Sequence, residues 1–269
     1  MARSWETKKV LIVVRTYPVP AVKGAEVSCS AAITEQNQWL RLFPIPYRFL
    51  DPDKRFRKYQ WIEVRVSKAR NDPRPESYTL ERDSIKVVSK VPPNQNWRAR
   101  KNLVLPLRSH SLCELKRKRD RDKYPTLGLF RPKVIKRLII APDRADWTPA
   151  ERAKLEQPRL FGGGPKALLE KIPLKFSYEF ACEDSNCPDH ALSCVDWEMA
   201  QSWRSWKRLY GEDWESKFRQ RYENEMINKN DTHFYVGNMA KHPATWIIVG
   251  LFYPPKEEAE LLSLPLGYR

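Results

Sequence analysis

Apolar and polar positions follow strand-like patterns through the first 90 residues and predict a series of short β-strands. Segment 8–16 is almost continuously apolar and rich in β-branched residues, which is typical of a strand buried on both faces. Segments 26–34, 38–43 and 59–68 alternate instead, and a period of two favours strands with one buried face. Several short strands joined by proline-rich turns predict a small barrel or a strongly curved mixed sheet.

The second half of the chain combines further strands with two amphipathic helices. Segment 134–141 resumes a strand pattern, and segment 174–180 alternates with its aromatic residues on one face. Helices predicted from Asp196 and from about Asp213 each carry large apolar residues at every third or fourth position, which indicates a stripe facing the core. The two stripes are Met199, Trp203, Trp206 and Tyr210, and then Trp214, Phe218, Tyr222 and Met226.

Two final strands, 233–237 and 245–253, complete the predicted elements. The second of them is continuously apolar, so we expect it to be central and to return to the N-terminal sheet. A glycine-rich hinge at 161–165 marks a soft boundary, and a short acidic helix is expected in the tail.

These elements predict an α+β fold in two parts. Residues 1–165 form a β-rich body that contains a basic segment, and residues 166–269 hold a metal loop, the aromatic helices and the returning strands. We expect the two parts to close as one compact unit, because the last strand is predicted to rejoin the first sheet.

Three cysteines and one histidine fall within thirteen residues of a short polar loop. They are Cys182, Cys187, His190 and Cys194, spaced C-x4-C-x2-H-x3-C. Thiolates and imidazole suit tetrahedral Zn²⁺, and four protein ligands leave no position for a catalytic water. We therefore predict a structural zinc that staples strand, loop and helix. Alternative fourth ligands are His233, His242 and Cys29. The competing interpretation is a set of unrelated buried cysteines beside a surface histidine.

Positive charge indicates the class of partner. The chain has 49 Lys and Arg against 33 Asp and Glu, a net charge of +16 and a pI near 9.7, which is typical of nucleic-acid-binding domains. Segment 97–137 alone carries +11, and we predict that it is a basic insertion that contacts phosphates. Its candidate phosphate ligands are Lys116, Arg117, Lys118, Arg119, Arg121 and Lys123. A solvated helix or loop is the alternative.

Aromatic and guanidinium side chains are predicted on the outward faces of the N-terminal strands. These are Trp39, Arg41, Trp61 and Arg65. Rings and guanidinium planes on one polar sheet face are what single-stranded or flipped bases stack on. The alternative is that an outward tryptophan packs beneath a loop.

Carboxylates support a second hypothesis, a metal-dependent nuclease or another enzyme that modifies nucleic acid. The candidates are Glu63, Asp72, Glu76, Asp196 and Glu198. The last two equally suit the first turn of a helix, where negative side chains offset the helix dipole. Cys113 near His110 resembles a nucleophilic pair but lacks an orienting third group. A binding protein is therefore the first hypothesis, and an adaptor that holds an acidic protein partner is the third.

The sequence also indicates a compartment. No apolar run approaches the roughly 20 residues of a membrane helix, and no secretory signal pattern follows the N-terminus. Five cysteines, an odd number grouped in a metal-like array, agree better with a reducing environment than with a disulfide framework. We expect a cytoplasmic protein whose partner is DNA or RNA and not a membrane.

Overall fold

Five N-terminal strands close into a small barrel in the computed structural model, which describes residues 4–21, 26–156, 165 and 167–257. The strands of this part are β1 (Glu6–Arg15), β2 (Val19–Pro20), β3 (Glu26–Thr34), β4 (Trp39–Ile45), β5 (Gln60–Lys68), β6 (Ser77–Leu80) and β7 (Lys86–Lys90). Around the barrel the order is β1, β3, β4, β6 and β5, and β5 pairs back with β1. Strands β4 and β6 run parallel, while β2 and β7 extend the sheet beside β3 and β5. The predicted barrel is confirmed.

The two faces of β1 belong to two different cores. Val10 and Ile12 point into the barrel, where they pack with apolar residues of β4 and β5. Leu11 and Val13 face the other way and pack against the second sheet. Because both faces exclude water, the strand is continuously apolar where a one-sided strand would alternate.

A second sheet forms the rest of the β structure. Its strands are β8 (Arg108–Ser109), β9 (Leu127–Phe130), β10 (Val134–Pro142), β11 (Leu174–Ala181), β12 (His190–Cys194), β13 (His233–Asn238) and β14 (Trp246–Phe252). Their order is β10, β11, β12, β14, β13, β9 and β8. Strand β14 is central, as predicted, but it pairs with β12 and β13, so the expected return to the N-terminal sheet is wrong. Strand β14 contacts the N-terminal sheet by packing. Gly250 of β14 lies so close to Val14 of β1 that a Cβ added to the glycine would be 3.0 Å from Val14 Cγ2.

Helices cover the outer face of the second sheet and connect the two sheets. They are α1 (Asn94–Val104), α2 (Leu112–Asp122), α3 (Pro149–Glu156), α4 (Trp197–Tyr210), α5 (Trp214–Arg219) and α6 (Glu225–Asn228), with a π-helical turn, Gln220–Asn224, joining the last two. Both predicted stripes face the core, with Met199, Trp203, Trp214, Phe218, Tyr222 and Met226 buried. Tyr210 differs, because it is exposed at the end of α4.

The basic segment 97–137 is an integral part of the fold. It supplies most of α1, all of α2, and strands β8 and β9, and every residue of β9 is buried in the second sheet. The description of this segment as an insertion is therefore corrected: it crosses from the barrel to the second sheet and contributes strands β8 and β9 to that sheet.

Two further predictions concern the ends of this architecture. The glycines of the expected hinge, 162–164, and the expected acidic helix in the tail lie outside the described residues. Within the described residues, no helix combines the length and the apolar character that crossing a membrane requires.

Candidate metal centre

Four side chains from three elements converge beside the second sheet. The ligand atoms of Cys113, Cys182, Cys187 and His190 all lie within 4.8 Å of one another. Cys113 belongs to the first turn of α2, Cys182 directly follows β11, and His190 begins β12. The Sγ atom of Cys113 lies 3.2 Å from His190 Nε2, although 77 residues separate the two in sequence.

The β11–β12 hairpin positions three of these four residues. Phe180 and His190 are opposite each other in the antiparallel pair, so the polar loop leaves β11 just before Cys182 and returns at His190. Within the loop the side-chain carboxylate of Asp184 accepts a hydrogen bond from Asn186 N at 3.1 Å. The backbone carbonyl of Asp184 accepts another from Cys187 N, also at 3.1 Å. This turn directs the Cys187 side chain back toward Cys182, whose backbone N–H lies 3.2 Å from Cys187 Sγ.

An N-cap at Ser111 and a carboxylate bond to the residue before it position the fourth residue. The Ser111 hydroxyl accepts a hydrogen bond from Glu114 N at 3.0 Å, and the Glu114 carboxylate accepts one from His110 N at 2.9 Å. The helix therefore starts at a defined residue, which sets the direction of Cys113. Close packing holds α2 against β9, because a Cβ on Gly128 would approach Leu115 Cδ1 to 2.6 Å.

Burial governs the protonation of this group. Desolvation raises the pKa of the Cys182 thiol to about 12 and also raises the pKa of Cys113, to which Cys187 adds. Desolvation, assisted by the positive charge of Lys116, lowers the pKa of His190 to about 4. The imidazole is therefore neutral near pH 7, as a metal ligand must be. The raised pKa values keep the thiols of Cys113 and Cys182 protonated until a cation favours the thiolates, so metal binding would release protons.

The donor set and spacing fit a tetrahedral metal ion. At a Zn–S distance of about 2.3 Å, two thiolates of a tetrahedral site lie about 3.8 Å apart. A group already within 4.8 Å reaches that spacing by small side-chain rotations. Three cysteines and one histidine are also a standard structural ligand set, which leaves no open position for water. The group can thus hold a metal ion.

The structure brings together three of the four predicted ligands and replaces the fourth. Cys194 lies four residues beyond His190 on β12, about 13 Å along the strand, and is buried in the core. The alternatives are also elsewhere: Cys29 is on β3, His233 is buried on β13, and His242 follows β13. Cys113 is absent from the ligands predicted from the sequence, because it lies 77 positions before His190. The Ser-x-x-Glu pattern from Ser111 to Glu114 was a local sign that a helix begins directly before Cys113.

The predicted phosphate ligands lie on the exposed side of α2 and just beyond its end. Arg117, Lys118, Arg121 and Lys123 are exposed, whereas Lys116 and Arg119 are half-buried. Several form ion pairs at the surface, among them Arg117 with Asp184 of the metal loop at 2.6 Å and Lys118 with Glu114 at 2.8 Å. The basic face and the metal group are therefore parts of one local structure.

Two of the predicted stacking residues are buried, so their outward placement is wrong. Trp39 is 8% exposed and meets Tyr235 edge to face, with ring centres 6.1 Å apart. The Arg41 guanidinium donates to Thr126 O at 2.8 Å and to Thr126 Oγ1 at 3.0 Å. The reason is that the second sheet covers this side of the barrel. Trp61 is half-buried with Lys9 over its ring, and Arg65 is exposed and pairs with Glu81.

The predicted catalytic carboxylates do not converge. Glu63 lies on β5 opposite Lys9 and Lys86, Asp72 pairs with Arg74 at 2.5 Å, and Glu76 accepts hydrogen bonds from Thr126 N and Leu127 N. Of these carboxylates, only Asp196 and Glu198 lie close together. The Asp196 carboxylate caps α4 by accepting a hydrogen bond from Glu198 N at 2.6 Å, which confirms the interpretation that a helix starts here. Among the described residues, the Cys₃His group is the candidate metal site.

Comparison with known proteins divides the chain in the same way as the two sheets. A family model described as Domain of unknown function (DUF8758) matches residues 6–106, which include the barrel. Another, described as Domain of unknown function (DUF8757), matches residues 108–266, more than half of the chain, and includes every member of the Cys₃His group. No curated protein matches the chain.

Proposed function

We propose that this chain, which belongs to the family described as Domain of unknown function (DUF8757), is a nucleic-acid-binding protein with a structural zinc site. In this proposal the Cys₃His group holds Zn²⁺ and helix α2 contacts phosphates of DNA or RNA in the cytoplasm. One observation carries it: the first turn of α2 contributes Cys113 to the group, while the exposed side of the same helix carries the densest run of cations.

Zinc is the metal that this ligand chemistry favours. Soft thiolates with one imidazole select zinc over hard cations such as Mg²⁺ and Ca²⁺, which prefer oxygen ligands. The loop that carries Cys187 is polar and buries little apolar surface of its own, so a bound ion supplies ordering free energy that packing does not. A filled tetrahedral site has a structural role, and here it fixes α2 against the β11–β12 hairpin.

The ion pairs on α2 are compatible with binding a polyanion. Exposed pairs such as Lys118–Glu114 contribute only about 0–1 kcal/mol each, because water and salt screen them. A phosphate can therefore replace the carboxylate at small cost, and each such contact releases condensed counterions. Arg117 is 64% exposed even while it pairs with Asp184, so its guanidinium remains accessible.

The test neutralises the four exposed cations of α2 and its end. In a quadruple variant with Arg117, Lys118, Arg121 and Lys123 changed to glutamine, affinity for a labelled DNA or RNA oligonucleotide is measured across a salt series. Each lost phosphate contact should reduce the slope of log K against log salt by about 0.7 to 0.9. A matched quadruple variant changes four exposed cations on other elements, Arg82, Lys86, Arg208 and Lys217, to glutamine.

The two variants separate local contact from net charge. We expect the α2 variant to lose at least about tenfold in affinity with a flatter slope, and the matched variant to lose far less. Equal losses in both would mean that net charge alone drives binding. Unchanged binding in the α2 variant would overturn the assignment of α2.

A further inference from the structure

A second site candidate lies at the junction of the barrel and the second sheet, away from the metal group. It is a pocket of about 470 Å³ whose lining comes from both parts of the chain. Its charged lining residues are Arg15, Arg57, Lys58, Lys90, Arg100 and Glu198. Five cations thus face one carboxylate, in a volume typical of small-molecule sites.

Two of these cations are held by aromatic rings instead of carboxylates. The guanidinium carbon of Arg15 lies 4.5 Å from the centre of the Tyr47 ring and 4.8 Å from that of Trp197, and one of its nitrogens donates to Phe56 O at 3.1 Å. Its Nε atom is buried and has no hydrogen-bond partner among the described residues. A cation held this way is oriented in advance and keeps its charge available for an anion.

Arg100 forms an equivalent arrangement on another wall of the pocket. Its guanidinium carbon lies 4.1 Å from the Tyr59 ring centre and 4.6 Å from that of Trp97, and its Nε donates to Val91 O at 3.0 Å. Trp97 in turn meets Tyr253 with ring centres 5.4 Å apart. This wall therefore combines a fixed positive charge with the rings of two half-buried aromatic residues, Trp97 and Tyr253.

The floor of the pocket is neutralised, so the excess charge is concentrated in the walls and rim. Lys58 Nζ lies 3.1 Å from Asp196 Oδ2 and 3.2 Å from Glu198 Oε2. These two carboxylates more than offset the single charge of the lysine, so Lys58 adds no positive charge for a ligand. Arg57 and Lys90 at the rim are exposed, and together with Arg15 they supply positive charge where a ligand would enter.

We propose that this pocket binds a nucleoside phosphate, with the phosphate on Arg15, Arg57 and Lys90 and the base against Trp97 and Tyr253. A phosphate requires unpaired cations, and a base requires flat aromatic or guanidinium surfaces; the pocket provides both. The ligand comes either as a free nucleotide or as one unit of a nucleic acid strand. The second source rests on the proposed function, whereas the first is independent of it.

The test measures binding of three probes by isothermal titration calorimetry: adenosine 5′-monophosphate, a single-stranded oligonucleotide of adenosine, and inorganic phosphate. The rim variant carries Arg57→Glu and Lys90→Glu, and a wall variant carries Trp97→Leu. The matched control carries Arg82→Glu and Lys86→Glu, which reverse two exposed cations of the barrel outside the pocket. Circular dichroism and thermal unfolding confirm that each variant folds.

We expect the rim variant to bind the mononucleotide or the oligonucleotide at least tenfold more weakly than the control does. If binding of both probes is weaker, a free nucleotide is sufficient to occupy the pocket. If only binding of the oligonucleotide is weaker, the ligand is one unit of a nucleic acid strand. If the rim and wall variants bind both the mononucleotide and the oligonucleotide as tightly as wild type does, the inference is overturned. In that case the proposed function still stands if the α2 variant binds the oligonucleotide more weakly. Inorganic phosphate that binds as tightly as the mononucleotide overturns the assignment of the base to Trp97 and Tyr253.

Discussion

Lys58 Nζ lies 3.1 Å from Asp196 Oδ2, and this ion pair joins the loop before β5 of the barrel to the N-cap of α4 beside the second sheet. Both side chains are almost fully buried, at 4% and 1% exposed. Asp196 also accepts hydrogen bonds from Glu198 N and from Leu251 N, at 2.6 and 3.0 Å. Burial alone would lower the pKa of Lys58, but the adjacent Asp196 and Glu198 outweigh it and raise this pKa well above 10.5. The lysine is thus charged and is a structural link between the two sheets.

Replacing Lys58 should therefore destabilise the whole protein. Lys58→Met leaves the Asp196 carboxylate buried without its cation, which costs about 3–5 kcal/mol. The measurement is the free energy of unfolding in urea. Lys54→Met is the matched control, because Lys54 pairs with Asp51 at the surface, where water and salt screen the pair, so its loss should be far smaller. Similar small losses in both variants would contradict the role of the buried pair.

A pair of cysteine variants tests which thiols hold the metal. We expect purified protein to contain one zinc per chain by elemental analysis. Cys113→Ser should lose most of it, because Cys113 belongs to the Cys₃His group. Cys194→Ser should retain it, because Cys194 is buried in the core of the second sheet. The reverse result would restore the ligand set predicted from the spacing in sequence.

Removing the metal should weaken nucleic-acid binding as well as stability. If the Cys₃His group holds zinc as proposed, chelation would release Cys113 from the hairpin residues, and α2 would lose a restraint at its first turn while its cations stay chemically unchanged. We expect a lower melting temperature together with weaker binding of an oligonucleotide, and recovery of both when zinc is returned. If binding stays at its original strength after zinc is lost, α2 and the metal group act separately.

The capping box of α3, formed by Thr148 and Glu151, provides a test by pH. Arg144 contacts the Glu151 carboxylate at 2.9 Å, and Thr148 N donates to it at the same distance. The bond to Arg144, followed by that to Thr148, lowers the pKa of Glu151 from 4.5 to about 2. A lowered pKa means that this stabilisation is present above about pH 4.5 and is lost as the pH falls through about 2. In a carboxyl NMR titration Arg144→Ala should raise the pKa toward 4.5, whereas Arg152→Ala should leave it unchanged, since Arg152 pairs with Asp146.

Local patterns were sufficient for much of the fold. The continuous apolar run of β1 anticipated burial on both faces, and the alternation in β5 placed Ile62, Val64 and Val66 inside the barrel, where all three are buried. The start of α4 at Asp196 was also predictable, because side chains within three residues satisfy helix ends. The π-helical turn that joins α5 and α6 had no such local sign.

Whether a strand face is buried or exposed depended on contacts between segments that are distant in sequence. Alternation showed that Trp39 and Arg41 share one side of β4, but the second sheet, formed by residues far along the chain, turned that side into a core. A buried arginine is tolerated there because Thr126 accepts its hydrogen bonds. Without those partners in view, a polar residue in an alternating strand predicts solvent.

The Cys₃His group shows the same division between sequence and tertiary structure. The sequence by itself determined that Cys182, Cys187 and His190 share one polar loop, since chain connectivity over eight residues keeps them close. Only the tertiary structure decided that the fourth member is Cys113 and not Cys194. An extended strand carries Cys194 away from His190 at about 3.3 Å per residue, while the packing of α2 against the hairpin brings a residue 77 positions away into contact.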